Sequence, residues 1–427
     1  MILHAIPPIF YKKDSCLDEP LLILVFPQIA HAPAGTQACT LDIRKFHRTC
    51  PVLPAHKPWL VVQGLPDNFY IDHDHPFGSA AASSNAGMIG NAIVDIWQAE
   101  DVKPILKYED DLKVFRSPTA SGLFHQDGFN YDYDRAAALI RIAHLQVPWH
   151  AEKGDSEFVF VTDFIGFRWD IPYKRVSLPQ GKRLKFFNRV RVFIDQFDGH
   201  PCSLLDVEKI HGSLCHVAFV YAQGRSRLPS ISNFAASFHD NEFSRRYPPH
   251  SMMSDLRWWL SSLDKPDFYR ELRICGPIED MGLFVDASTS WGIGIVVGGE
   301  WAAFKLADGW KIPGRDICWL ETVAVEILVY ILEAKGIKDT VLLIHSDNQG
   351  TIGSLDKGRS RNFHINLSIR RTYVVLSSLF ITPHLVYVTS EANPADPISR
   401  GELGDAGRHI SVSFSLPDEL RQIFVDV

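Results

Sequence analysis

The chain has 427 residues, is 46% hydrophobic and 22% charged, and carries a formal net charge of −7. Its composition is that of a globular protein of about two to four domains, and its charge does not by itself advertise a nucleic-acid partner. Seven scattered cysteines (16, 39, 50, 202, 215, 275, 318), with no CxxC and no His/Cys cluster, exclude a disulfide framework and a structural zinc and fit a reducing compartment. The longest early apolar run, Leu21 to Phe26, is too short to cross a membrane and lacks a signal-peptide layout. The expected location is therefore intracellular, in cytoplasm and/or nucleus, with no membrane partner.

The pattern predicts an α/β, multi-domain chain. Residues 1–172 mix strands and helices, 173–265 are mainly helical, 266–282 form a linker with one short strand, 283–401 form a compact α/β domain, and 402–427 are a tail. In the first block, ACTLD is a short apolar strand ending in Asp42. HPFGSAAASSNAGMIGNAIVDIW, with Phe77 and Gly78 near its start, leads into a helix. The nearby His73, Asp74 and His75 lie at a turn and are not taken as metal ligands. ILKYEDDLKVF reads as a hairpin with Asp110 and Asp111 at its turn, for which a plain Asp-rich turn is the alternative. DFIGFRWDI (163–171) lies further along the chain.

Residues 174–191 hold seven Lys/Arg and no acid, including Lys182, Arg183 and Lys185. Such a stretch either tracks a phosphate backbone or forms a solvated helix face. GRSR (224–227), RRY (245–247), Arg359, Arg361, Arg370 and Arg371 add smaller basic clusters. Trp258 and Trp259 sit on a helix and are read as core packing in preference to base stacking.

The last block reads β-β-β-α-β-α-β-α. LFVDAS is a strand, and GIGIVVGGEWAAFKL is a hairpin turning at Gly298-Gly299. DICWLETVAVEILVYILEAKG is a helix stopped by Gly336, and TVLLIHSD is a buried strand. Residues 362–380 form a helix, HLVYVTS a strand, and Asn393-Pro394 the cap and first position of the last helix. Four acids stand out: Asp286 on the first strand, Glu321 on the first helix, Asp347 at the end of the buried strand, and Asp396 in the last helix. On a helical wheel Glu321 falls among Ala324, Val325, Leu328 and Leu332, whereas Glu326 falls with Thr322, Tyr330 and Glu333 and is expected to be solvated. Carboxylates placed in apolar elements need a partner, and four that converge need cations.

LFVDAS, WLETVAVE, HSDNQG and NPADPISR resemble the RNase H domain of retroelement reverse transcriptases, over 283–401. The resemblance implies two Mg²⁺ ions (or Mn²⁺) held by Asp286, Glu321, Asp347 and Asp396, and cleavage of RNA in RNA–DNA hybrids. It also implies minor-groove contacts from Asn348 and Gln349. The loop TSEANPAD lacks the His that many members carry before the last Asp, which implies a modest rate.

Upstream, the order of motifs resembles the palm of the same family, of a type common in fungal genomes. Asp42 and Asp110 would hold two Mg²⁺ ions, with Asp111 a weaker ligand. Tyr108, Asp110 and Asp111 match the YxDD hairpin, and Phe77 and Gly78 the turn beneath template and nucleotide. Phe164 and Gly166 match the primer-grip hairpin, and Lys182, Arg183 and Lys185 fall where a thumb holds primer–template. Phe46 and His47 are the two candidates for the residue screening the sugar 2′-OH. Only 41 residues precede Asp42, so the resemblance implies truncated fingers. The implied partners are RNA–DNA hybrid, primer–template and deoxynucleoside triphosphates. The alternative is a decayed or co-opted protein that binds nucleic acid without catalysis.

Overall fold

The computed structural model describes residues 19–76, 81–239, 241, 243–274 and 276–425. Its elements, in chain order, begin with α1 (Glu19–Ala30), β1 (Gln37–Asp42), β2 (Val61–Gln63), β3 (Phe69–Ile71) and α2 (Ala82–Ala99). Next come β4 (Ile105–Tyr108), β5 (Asp111–Arg116), β6 (Phe124–Gln126), β7 (Phe129–Tyr131), α3 (Arg135–Ile140), β8 (Val161–Phe164), β9 (Phe167–Asp170) and β10 (Arg175–Ser177). The helices α4 (Gln180–Phe197), α5 (Leu204–Val220), α6 (Pro229–Ala236) and α7 (His250–Asp264) precede β11 (Tyr269–Glu271). The remainder is β12 (Ile278–Ala287), β13 (Gly292–Val297), β14 (Glu300–Leu306), α8 (Ile317–Ala334), β15 (Val341–Ser346), α9 (Gln349–Lys357), α10 (Phe363–Leu379), β16 (Thr382–Tyr387), α11 (Ala395–Ser399), α12 (Asp418–Arg421) and β17 (Phe424–Val425). The mixed, multi-domain α/β class expected from the sequence is the class observed.

The chain divides into two compact units. One comprises residues 17–182 and 269–274. It holds a three-stranded antiparallel sheet, β1–β5–β4, and a four-stranded sheet, β11–β10–β9–β8. The apolar sides of Cys39, Leu41, Leu112 and Val114 pack with Trp97 and Val94 of α2 and with Phe158. Period-two alternation puts Thr40, Asp42, Asp111 and Lys113 on the opposite side of the same strands.

The other unit comprises the helices from residue 183 to 268 and the segment from 276 onward. Its six-stranded sheet has the order β16–β15–β12–β13–β14–β17, with β12, β15 and β16 parallel and the rest antiparallel. The continuous apolar run in β15 is that of a strand covered on both faces. Asp316 caps α8 by accepting the Trp319 N–H at 2.9 Å, and Gly336, at φ 74°, follows the end of that helix.

Residues Trp319 to Leu332 of α8 are buried on every side. That overturns the expectation of a solvated Glu326. It is 0% exposed, because α10 packs on the side of α8 that the helical wheel left to water. Its carboxylate is satisfied there by Arg371, by the Tyr330 hydroxyl at 2.9 Å and by the Ser368 hydroxyl at 2.6 Å. The structure also adds elements that the sequence pattern did not separate. They are α9 between β15 and α10, and β17, which pairs with β14 from within residues 402–427.

The helical segment shares a polar seam with the six-stranded-sheet domain. Asp255 of α7, 3% exposed, accepts from Arg227 at 2.9 Å and from Arg370 of α10 at 3.0 Å. Arg370 also donates to the Ser226 carbonyl at 2.8 Å. Trp259 is 0% exposed and lies against Gly224, where an added Cβ would stand 1.9 Å from the indole. Trp259 thus belongs to packing, as expected, while Trp258 is half-buried against Tyr221.

Candidate metal centre

Three elements of the second unit bring carboxylates to one point. Asp286 comes from β12, Glu321 from the first turns of α8, and Asp347 from the turn that follows β15. A ligand oxygen of each lies within 4.8 Å of the others. Asp286 and Glu321 are each 3% exposed. One oxygen of each group is fixed: the Ala287 N–H donates to Glu321 Oε1 at 3.1 Å, the Ser399 hydroxyl to Asp286 Oδ2, and the Ser390 hydroxyl to Asp347 Oδ2. Glu321 Oε2 is buried and has no hydrogen-bond partner among the described residues. Nor does any of the three form an ion pair among those residues.

Burial pushes Asp286 up to about 7, with repulsion from Asp347 and Asp396 adding to it and the Ser399 hydrogen bond opposing it. Burial pushes Glu321 up to about 9, with repulsion from Asp286 and Asp347 in support. An orphaned buried carboxylate oxygen facing two more carboxylates fits hard divalent cations, and the all-oxygen donor set suits Mg²⁺ or Mn²⁺.

Asp396 stands apart from the triad. It lies in the first turn of α11 as expected, and Arg400 grips it through two hydrogen bonds of 2.9 Å. The fold nevertheless brings α11 beside Asp286. Asp286 pairs with Gly294 across β12 and β13, and a Cβ on Gly294 would fall 2.4 Å from the Ala395 carbonyl. Asn393 pins the same turn by donating to the Val285 carbonyl at 3.0 Å and accepting the Ala395 N–H at 3.1 Å. Pro394 occupies the cap position itself, one residue later than the sequence pattern placed it. Asn348 caps α9 by accepting the Thr351 N–H at 3.0 Å, and Gln349 is exposed beside it.

In the first unit, Asp42 faces Asp111 across β1 and β5, with Asp110 in the turn beside it. Among the described residues this group does not draw together as the triad does. Asp42 is 6% exposed and accepts from Lys153 Nζ at 3.1 Å. Burial, then repulsion from Asp110 and Asp42, pushes Asp111 up to about 6. Asp42, Asp111 and Lys153 border a cleft of about 560 Å³ lined also by Thr162, Asp163, Phe164, Gly166 and Arg168.

Ile165 and Gly166, at φ 47° and 80°, form the two-residue turn between β8 and β9, and Phe164 is buried beneath it. Tyr108, half-buried, ends β4 opposite Asp111. Phe46 is in the core, whereas His47 Nε2 lies 3.8 Å from Glu109 at the hairpin tip. Phe77 and Gly78 lie outside the described residues. His73, Asp74 and His75 engage Lys57, Arg48 and Asn85 separately.

Most of the basic stretch is engaged by the chain itself while staying half-buried. Lys174 donates to backbone carbonyls of Ile29 and Ala32, Arg175 pairs with Glu271, and Lys182 donates to the Gly166 carbonyl at 3.3 Å. Arg183 donates to Leu263 O and Arg189 to Ser213, while Lys185 is exposed. The sequence reading missed Ser390, Ser399, Lys153 and Lys113. Only Ser399 had a local signal, three residues after Asp396 on a short helix.

No family model matches the sequence, and no curated protein matches it. Among solved structures, it is similar to the foamy viral protease–reverse transcriptase dRH in complex with double-stranded DNA, at 10% identity and a TM-score of 0.44, over 84% of this chain and 58% of that one. A structure of the foamy viral protease–reverse transcriptase in complex with RNA/DNA hybrid matches at 11% identity and a TM-score of 0.43, over 92% and 47%. The chain thus spans 58% and 47% of the lengths of these two. Fold and site together define a multi-domain α/β protein with a buried carboxylate triad suited to hard cations.

Proposed function

We propose that the triad belongs to a two-metal ribonuclease H that cuts the RNA strand of RNA–DNA hybrids, in a retroelement-derived reverse transcriptase. The observation that carries this reading is the unpartnered Glu321 Oε2, buried and converging with Asp286 and Asp347. Bound there, divalent cations would supply Lewis acidity to a phosphodiester and lower the pKa of an attacking water. The chain's own residues do the rest. Asp286, Glu321 and Asp347 would hold the cations, while Ser399, Ser390 and the Ala287 N–H fix the carboxylate orientations. Asp396, now paired with Arg400, would supply the remaining carboxylate of the ligand set. Asn348 and Gln349 at the start of α9 are the proposed contacts to the hybrid's minor groove.

The Asp42–Asp110–Asp111 edge is proposed as the polymerase palm, with Tyr108 beside it and His47 facing the incoming sugar. Phe164, Gly166, Lys182, Arg183 and Lys185 are its proposed primer–template contacts, and RNA-directed DNA polymerisation is its proposed activity. A second reading, a nucleic-acid-binding protein without catalysis, is favoured by the Arg400 grip on Asp396 and the Lys153 contact to Asp42. Calorimetric titration with Mg²⁺ separates the two. The ribonuclease reading expects a binding signal that Asp286→Asn removes, and the absence of any such signal from the parent protein favours the non-catalytic one.

A further inference from the structure

Behind Thr40 and Thr162, which line the cleft beside Asp42, lies a buried lysine, Lys113. Asp42–Asp111 and Thr40–Lys113 are pairs two residues apart along β1 and β5, so all four side chains share one face of that sheet. Lys113 is 1% exposed. Its ammonium donates to the hydroxyls of Thr40 on β1 and Thr162 on β8 and lies 5.2 Å from the centroid of the Phe164 ring. Asp155 Oδ2, 3.9 Å from Lys113 Nζ, accepts the Thr40 N–H and the Thr162 hydroxyl, each at 2.7 Å. Thr40 Oγ1 also donates to the Asp163 carbonyl at 3.1 Å. One ammonium therefore joins the strand pair bearing Asp42 and Asp111 to the strand that leads into the Phe164–Gly166 turn.

Packing alone does not call for a charge here. Burial costs the ammonium enough to pull its pKa from 10.5 to about 8, and an apolar side chain of similar volume is commonly neutral or stabilising in such a place. A hydrogen-bonded cation, unlike an apolar chain, fixes direction as well as volume.

We propose that Lys113 is a positioning residue that locks the β8–β9 hairpin in register with the Asp42–Asp111 edge and so sets where a primer terminus rests. The proposal rests on the palm reading given above. Lys113 acts through Thr40 and Thr162 and does not touch substrate.

The test uses the full chain with Lys113→Met and, separately, Thr162→Val, which cuts the same link without emptying the core. Amide hydrogen exchange over residues 161–170 is read against β12 and β15 as internal controls. Primer extension on an RNA template with Mg²⁺ is run alongside. In both variants exchange in the hairpin rises at least about tenfold with the controls unmoved. The KM for primer–template rises while hybrid cleavage is unchanged. Wild-type exchange in the hairpin overturns the proposal, and so does faster exchange with an unaltered KM. If Lys113→Met fails to fold, Thr162→Val decides. A parent protein that adds no nucleotide contradicts the palm reading itself, and hairpin exchange alone then decides whether Lys113 locks β8–β9.

Discussion

Glu321 is the residue on which the proposed chemistry of the second unit turns. It sits on an otherwise apolar helix with one oxygen bonded and the other without a partner among the described residues. Burial pushes its carboxyl up from an ordinary 4.5 to about 9, and that of Asp286 from 3.8 to about 7. A carboxyl raised in the folded state contributes stability that is full below its unfolded pKa and lost as pH rises through the folded value. The metal-free protein should therefore lose thermal stability between about pH 4 and pH 9. Glu321→Gln should flatten that fall, and Mg²⁺ should raise Tm more at alkaline than at acid pH. Calorimetric scans across that range check this; identical pH profiles for the variant and the parent contradict it. Ser399→Ala removes the donor that orients Asp286, and should weaken Mg²⁺ binding about 10- to 100-fold with little change in fold. Isothermal titration reads that loss, and unaltered affinity would deny Ser399 its orienting role.

At the scale of elements, α8 shows both what the sequence discloses and what it hides. Periodicity separates Glu321 from Glu326 correctly as to which one meets the other acids. It fails on Glu326, because the wheel assumes one buried face and α10 covers the other. Nothing local in the sequence signals that Ser368 and Arg371, more than forty residues away, will satisfy that carboxylate. Glu326→Ala leaves Arg371 half-buried beside an empty site and should cost about 3–5 kcal/mol, read by urea unfolding. A loss below about 1 kcal/mol would mean that water replaces the carboxylate. Gly224→Ala drives a methyl into Trp259 and should cost about 1–3 kcal/mol with a shift in tryptophan emission. Strands with strong apolar runs and Gly-marked turns, such as β13–β14, were legible from the chain alone, whereas the β8–β9 hairpin was marked only by the family resemblance. The short helices α6 and α9 were not, since neither carries a long periodic pattern.

For the whole molecule, the sequence suggested basic surfaces that the structure largely spends on itself. Arg227, Arg370 and Arg371 are held by Asp255 and Glu326, so much of the positive charge read along the chain stabilises interior seams. Charge clusters in a sequence do not reveal which way the side chains turn, because the compensating acids come from distant segments. The carboxylates were legible for the opposite reason: an acid at the end of a buried strand or within an apolar helix is anomalous wherever the rest of the chain lies. Among the described residues no helix is long and apolar enough to cross a membrane.

The central claim is that the triad cuts RNA. It is tested most directly by incubating the full chain and its Asp347→Asn variant with an RNA–DNA hybrid labelled on the RNA strand, in Mg²⁺. The parent should cleave the RNA and leave the DNA whole. The Asp347→Asn variant should lose more than about 100-fold of the rate, more than the loss of a residue that merely orients a ligand costs, while keeping its fold by circular dichroism. A variant that cleaves the hybrid as fast as the parent would contradict the claim.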